Sequence, residues 1–196
     1  LDGRFICDIN KTQIVTYIPY KDPLTSNSDL TINSNFTEIK NNSFAWFSEN
    51  NRLGTLTIPS SVTILGQSAF YWAYFKNIII NGNIEIIPNY CFYRCRMTSF
   101  VIPNSVREIG QRAFSGTLLN GSHITIPDSV TKLSSYSFNE SEVTSITISN
   151  SITDIPAHCF SYIYDLETLQ FSTPSSLKKI NPYSFQNDYA LTEIII

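Results

Sequence analysis

The side chains best suited to catalysis or metal binding are scattered along this chain. Only two histidines occur, and His123 and His158 are predicted on opposite sides of their structural units. A general base must lie within hydrogen-bond reach of its partner, so these two histidines form neither a catalytic pair nor a two-histidine metal site. The carboxylates of Glu38, Asp154 and Glu167 share no common spacing. We therefore predict no catalytic residue, no metal site and no cofactor, and the chain is not expected to be an enzyme.

A recurring phenylalanine marks an internal repeat. Its copies lie 22–26 residues apart, at Phe44, Phe70, Phe92, Phe114, Phe138, Phe160 and Phe185. In six of the seven copies an isoleucine lies twelve residues earlier, at Ile32, Ile58, Ile80, Ile102, Ile126 and Ile148. This isoleucine closes an alternating apolar stretch, which is typical of a short strand with one buried face. Units this short bury their apolar faces only when they stack on one another.

The repeat predicts a β-rich leucine-rich-repeat solenoid of about seven to eight stacked units over residues 30–196. We expect a parallel concave sheet, an internal phenylalanine spine and an irregular convex side with short helical turns. Residues 1–29 are less regular and are predicted to be a degenerate cap. The chain stops inside a predicted strand, and solenoids need capped ends to stay soluble. We therefore expect it to be a segment of a longer protein.

The outward residues of the predicted strands form a first candidate binding surface. Their middle column is a nearly uncharged strip that contains Thr57, Ile79, Val101, Thr125 and Thr147. Ile79 and Val101 make one apolar patch within this strip. The alternative is that these residues bind nothing, because exposed strand positions favour Thr, Val and Ile for conformational reasons.

A second candidate surface lies two residues after each recurring phenylalanine. Three adjacent repeats place Trp46, Trp72 and Arg94 in this column. Tryptophan and arginine are enriched in interaction hot spots, and a guanidinium over an indole makes a cation–π contact. The alternative is that these side chains only pack the convex loops against each other.

Three runs carry a resemblance to a known family: LTIPSSVTILGQSAF (56–70), FVIPNSVREIGQRAF (100–114) and ITIPDSVTKLSSYSF (124–138). They resemble the BspA-like, or Treponema pallidum type, leucine-rich repeat over residues 30–196. Two family positions are poorly kept, because the cysteine survives only as Cys95 and the glycine only as Gly66 and Gly110. The resemblance implies a repeat solenoid on surface proteins of host-associated bacteria and anaerobic protozoa, with an adhesion-type role. The identity of the ligand does not follow from it.

Three of the four cysteines are predicted to be buried thiols. Cys91 and Cys159 occupy the position before the phenylalanine, where other repeats have Ala69 and Ala113. They lie three repeats apart, about 14 Å by strand spacing, which is beyond the reach of a disulfide. Cys95 is also expected to point inward, and no second Cys or His pair gives zinc spacing.

Composition and charge weigh against two classes of partner. The thirteen basic residues are dispersed and the net charge is −3, whereas nucleic-acid binding requires clustered Lys and Arg. No apolar stretch approaches the length of a transmembrane helix. We expect neither nucleic acid nor direct membrane insertion.

Five N-glycosylation sequons lie in predicted turns or loops, at Asn10, Asn35, Asn41, Asn120 and Asn139. Exposed sequons favour a secretory route. Together with the resemblance, they predict a cell-surface or secreted adhesion-type protein that binds a protein or glycan ligand on host cells or matrix. Two alternatives stay open: a structural module that self-associates, for example as a homodimer, and an intracellular scaffold.

Overall fold

A computed structural model describes residues 5–7, 10, 12–17, 28–46 and 53–196 as a solenoid with two strand ladders. The long-strand ladder is parallel and contains β3 (Ser28–Thr31), β5 (Leu53–Ile58), β7 (Phe75–Ile80), β10 (Leu118–Thr125), β12 (Glu142–Ile148), β14 (Thr168–Phe171) and β16 (Glu193–Ile195). The short-strand ladder contains β2 (Gln13–Tyr17), β4 (Glu38–Ile39), β6 (Ile64–Leu65), β8 (Ile86–Ile87), β9 (Glu108–Ile109), β11 (Lys132–Leu133), β13 (Asp154–Ile155) and β15 (Lys179–Ile180). β1 (Phe5–Cys7) pairs antiparallel with β2. The predicted parallel solenoid is therefore confirmed.

The core is a column of stacked phenylalanine rings with aliphatic residues from both ladders around it. Successive rings lie 5.1–5.7 Å apart and close to parallel, from Phe44 through to Phe185. The apolar residues of the long strands, such as Ile58 and Ile148, and of the short strands, such as Ile87 and Ile109, are fully buried around the rings. Each ring between Phe44 and Phe185 contacts both of its neighbours, so the spine joins every repeat to the next.

The Ile-Pro-x-Ser-Val part of the repeat is explained by hydrogen bonds in the turn between the two ladders. The N–H of Val62 donates to the carbonyl of Pro59 at 3.1 Å and closes the turn. The hydroxyl of Ser61 donates to the carbonyl of Phe36 in the preceding coil at 2.7 Å. Ser105 repeats this bond one coil further on, to the carbonyl of Ile84 at 2.8 Å. In these two repeats the serine therefore ties the turn to the coil before it, whereas the hydroxyl of Ser129 at the same position is buried without a hydrogen-bond partner in the described structure.

Two prolines coincide with the interruptions of the short-strand ladder. At the position after the short strand, the N–H of Gly66 donates to the carbonyl of Ile39 and that of Gly110 to Ile87, at 2.7 and 2.8 Å. Pro88 and Pro156 occupy the same position and have no N–H to donate. The ladder is correspondingly divided into β2-β4-β6, β8-β9-β11 and β13-β15 among the residues that the structure describes.

The predicted short helical turns are wrong: each recurring phenylalanine lies in consecutive tight turns, and none of the described residues is helical. In the second repeat, the N–H groups of Ser68, Phe70 and Trp72 donate to carbonyls of the next coil. The intervening N–H groups donate three residues back, within the turn itself. This alternation needs a left-handed residue on each side of the phenylalanine. All fourteen residues two before or two after it have φ between +51° and +65°.

Two further expectations are corrected in the long-strand ladder. The ladder breaks between β7 and β10, so Val101 does not lie on an assigned strand, although a bridge joins Asn77 to Ser99. Pro103 cannot donate to Ile80 as Asn81 donates to Ile58. This missing bond alone does not explain the break, because Pro59 holds the same position after β5, which still pairs with β3. Asn120, predicted in a loop, lies within β10, where irregular pairing with β12 accommodates the extra residues of that repeat.

Candidate binding surfaces

The long-strand face presents the predicted strip, and strand pairing aligns most of it as expected. Thr57 pairs with Ile79, and Thr125 pairs with Thr147. Ile79 is 47% exposed and Val101 is 81% exposed, whereas their neighbours Ile78 and Ile102 are buried. The two outward side chains therefore form an apolar patch within a polar face.

A hydrogen-bonded cluster on this face surrounds His123. Its Nδ1 lies 2.7 Å from the hydroxyl of Ser145, and its Nε2 lies 3.1 Å from that of Thr125 and 3.3 Å from that of Thr147. Both ring nitrogens meet hydroxyl groups, so no carboxylate orients the imidazole as a general base would require. No group of three His, Cys, Asp or Glu residues in the described part of the chain is arranged to hold a metal ion.

The turn edge carries the second predicted surface. We call the residues two after each spine phenylalanine the turn-edge column: Trp46, Trp72, Arg94, Gly116, Glu140, Tyr162 and Asn187. The indoles of Trp46 and Trp72 stack 5.7 Å apart, and the guanidinium of Arg94 lies 5.2 Å from the Trp72 ring. Trp46 is nevertheless 67% exposed and Trp72 42% exposed. The rings thus support each other and still present apolar surface to a partner.

Arg94 links the two halves of this column. Its Nε donates to the Tyr93 hydroxyl at 3.3 Å, and this bond is the largest cause that raises the pKa of Arg94. Its Nη2 lies 3.6 Å from the carboxylate of Glu140, two repeats further along. The side chain passes over Gly116, where a Cβ would lie only 2.8 Å from Cγ of Arg94. A residue with a side chain at 116 would obstruct this path.

A second column, two residues before each phenylalanine, was not singled out from the sequence. The guanidinium of Arg112 lies 4.7 Å from the ring of Tyr136. The imidazole of His158 stacks between Tyr136 and Tyr183, with centroids 4.6 and 5.0 Å apart. The same alignment that predicted the turn-edge column could have found this one, because five successive repeats, from Tyr90 to Tyr183, carry Arg or an aromatic ring there.

The three described cysteines are free and buried, as predicted. Burial is the largest cause that raises their pKa values, to about 12 for Cys159. For Cys91 and Cys95 burial likewise raises the pKa well above its ordinary value. These thiols are structural rather than reactive, because a nucleophilic cysteine needs an accessible thiolate. The side chain of Cys7 lies outside the described residues.

The expectation of an exposed loop at Asn139 is wrong. Asn139 is 4% exposed, and its amide nitrogen donates to the carbonyl and the hydroxyl of Ser161, at 3.0 Å each. A glycan on this nitrogen is incompatible with the folded turn. Asn35 and Asn41 are exposed and accessible, and Asn10 is exposed too. Their glycosylation stays a prediction.

We expect Asp188 to make the stability of the folded chain depend on pH. Burial raises the pKa of its carboxyl to about 7, although the N–H of Ile163 donates to Oδ1 at 2.8 Å. Because the folded pKa exceeds the unfolded one, the folded state binds more protons than the unfolded state between about pH 4 and pH 7, and stability falls as pH rises through this window. Oδ2 has no hydrogen-bond partner in the structure.

We expect Asp188→Asn to remove this part of the pH dependence. The amide keeps an acceptor for Ile163 and never ionises, so the variant should gain a few degrees in Tm relative to wild type at pH 8 and little at pH 4.5. Thermal unfolding of both proteins over this pH range measures the difference. A variant whose advantage does not grow with pH would contradict the assignment.

Comparison with known proteins agrees with this architecture. A family model, the BspA type leucine-rich-repeat region, matches residues 22–120 and 85–196, with six copies. No curated protein matches the chain. No helix among the described residues has the length and apolar character needed to cross a bilayer.

Solved structures share the fold at low identity. A leucine-rich-repeat protein of Bacteroides ovatus aligns with a TM-score of 0.75 at 20% identity, over 98% of this chain and 50% of its own. The leucine-rich-repeat protein of T. pallidum aligns with a TM-score of 0.71 at 18% identity, over 96% of this chain and 87% of its own.

A leucine-rich cell-surface protein of Faecalibacterium prausnitzii aligns with a TM-score of 0.53 at 19% identity, over 99% of this chain and 53% of its own. The chain thus spans about half the length of the Bacteroides and Faecalibacterium proteins. The family match covers nearly the whole repeat array, and the chain belongs to the BspA type leucine-rich-repeat family.

Proposed function

We propose that this chain is a protein-binding module of a cell-surface or secreted protein, with an adhesion-type role towards host cells or extracellular matrix. The observation that carries the proposal is the exposed, mutually stacked trio of Trp46, Trp72 and Arg94 on the turn edge. Large aromatic and arginine side chains that are already ordered lose little conformational entropy on binding, and they dominate many interfaces.

The proposed location draws support from relatives and from composition. The Faecalibacterium prausnitzii protein of the same fold is described as a cell-surface protein. Accessible sequons at Asn35 and Asn41 are compatible with a secretory route in a eukaryotic host. An intracellular scaffold would use the same surface, but it would leave these sequons unmodified in the native organism. Self-association to a homodimer stays a prediction.

The decisive experiment measures saturable binding of the purified chain to epithelial cells and to immobilised matrix proteins. We expect Trp72→Ala to weaken this binding by about 30-fold, the size of a 2 kcal/mol hot spot. Tyr183→Ala is the matched control, because it removes an exposed ring from the other column. Val101→Lys tests the long-strand face in the same assay.

Each outcome decides between surfaces. Loss of binding with Trp72→Ala, with Tyr183→Ala unaffected, supports the turn edge. Loss of binding with Val101→Lys alone would show that the long-strand face, and not the turn edge, binds the partner. Binding no stronger than that of an unrelated solenoid of equal charge would overturn the adhesion proposal. Light scattering at the concentrations used keeps self-association from being mistaken for binding.

A further inference from the structure

A groove of about 340 Å³ opens on the turn edge beyond Arg94. Two columns meet there, the turn-edge column and the residues two further along, which include Leu118, Glu142 and Tyr164. Its walls include Arg94, Gly116, Glu140, Glu142, Tyr164 and Asp165, and we call it the acidic groove. The missing side chain at Gly116 leaves the gap, and the side chain of Arg94 lies across it.

We propose that the acidic groove binds a positively charged side chain, arginine or lysine, presented by a protein partner. This inference rests on the proposed function, whose partner chemistry it specifies. Three carboxylates and one guanidinium line the groove, which leaves a surplus of two negative charges.

The carboxylates are available for an incoming cation. Glu140 meets Arg94 only at 3.6 Å, and both side chains are more than two-fifths exposed. Glu142 and Asp165 form no ion pair with any residue that the structure describes. Like charges held near one another repel unless a counter-charge joins them, so a guanidinium or ammonium group would relieve this repulsion, whereas an anion would add to it.

Aromatic walls and a buried hydroxyl complete the site. Tyr162 and Tyr164 make an edge contact at 6.3 Å and both line the groove. Their rings are suited to cation–π contact with a guanidinium. Ser141 also lines the groove, and it is 2% exposed with a hydroxyl that has no hydrogen-bond partner in the structure. Buried polar groups are normally paired, and a hydroxyl can accept as well as donate, so this one can accept an N–H bond from a ligand.

The test uses a fluorescein-labelled hexapeptide that contains two arginines and the same peptide with citrulline in their place. Citrulline keeps the shape of arginine but carries no charge, because a carbonyl oxygen replaces one of the terminal guanidinium nitrogens. Fluorescence anisotropy against the whole 196-residue chain gives both affinities. We expect the arginine peptide to bind at least about tenfold more tightly, because charge pairs with the groove carboxylates and cation–π contacts both require the cation.

Two double variants of equal net charge locate the binding. Glu142→Gln with Asp165→Asn should weaken the arginine peptide about tenfold. Asp154→Asn with Glu193→Gln removes two exposed carboxylates elsewhere and should leave the affinity unchanged. Equal binding of the two peptides, or equal weakening by both double variants, would overturn the proposal, because binding would then reflect shape or overall charge.

The result is separable from that of the adhesion assay. If cell binding depends on Trp72 but the arginine peptide is not bound selectively, the acidic groove is rejected as a binding site and the proposed function stands. If the arginine peptide is bound selectively but cells are not bound, the acidic groove stands as a site for cationic side chains and the adhesion role is rejected.

Discussion

We expect Phe114→Ala to lower the free energy of unfolding by about 3–5 kcal/mol, the range for a fully buried phenylalanine. The Phe114 ring stacks on Phe92 at 5.2 Å and on Phe138 at 5.1 Å, and it also contacts Phe100 at 5.4 Å. Its loss leaves a cavity that the neighbours cannot fill, since each is held by its own coil. At about 2–4 °C for each kcal/mol in a chain of this size, Tm should fall by about 6–20 °C.

Phe185→Ala is the matched control for this prediction. Phe185 holds the same repeat position, but among the described residues it stacks only on Phe160, at 5.7 Å, and it is partly exposed. Solenoid stability is approximately a sum of repeat and nearest-neighbour terms, so removing one stack instead of two should cost less. Equal losses in the two variants, by denaturant unfolding, would show that ring stacking does not couple the repeats.

The spine and the strand register could be predicted because they repeat. The constant interval between Ile58 and Phe70, or Ile102 and Phe114, fixes which side chains share a column. The observed pairing of Thr125 with Thr147 has that register. A single repeat leaves open which of its side chains point inward. Seven copies with the same spacing each support the same assignment of the inward face.

The conformation of the turns could not be predicted in the same way. Left-handed backbone is normally signalled by Gly or Asn, yet here it falls on residues such as Trp72, Arg112 and Tyr136. A non-glycine residue in this region costs about 1–2 kcal/mol. Hydrogen bonds to the neighbouring coil offset that cost, and they exist only in the stacked solenoid.

The residues of the candidate site could be predicted from the sequence, but the contacts between their side chains could not. Position alone placed Trp46, Trp72 and Arg94 in one column. It did not indicate that Arg94 extends over Gly116 to Glu140, because that contact depends on a side-chain direction and on a glycine two residues after Phe114. The side-chain direction of Asn139 could not be predicted either. Its position in a turn predicted an exposed side chain, but its amide points inward and donates to the carbonyl of Ser161.

Gly82 should be the least replaceable of the glycines whose surroundings the structure describes. The turn around it has neither the proline nor the serine of the Ile-Pro-x-Ser-Val repeats, and the N–H of Ile84 donates to the carbonyl of Gly82 at 3.0 Å. The backbone therefore lies directly over the preceding coil. A Cβ at residue 82 would come within 1.8 Å of the Val62 carbonyl oxygen, a backbone atom that cannot rotate away.

We expect Gly82→Ala to cost about 3 kcal/mol, the upper part of the usual range for overpacking, and to lower Tm by about 6–12 °C. Ser60→Ala is the control at the equivalent, exposed position of the preceding repeat, where a Cβ is already accommodated, and it should change stability by less than about 0.5 kcal/mol. Thermal unfolding of both variants measures the contrast. If Gly82→Ala proved as mild as Ser60→Ala, the turn could shift outward freely. The close contact with Val62 would then reflect the absence of a side chain rather than a requirement for glycine.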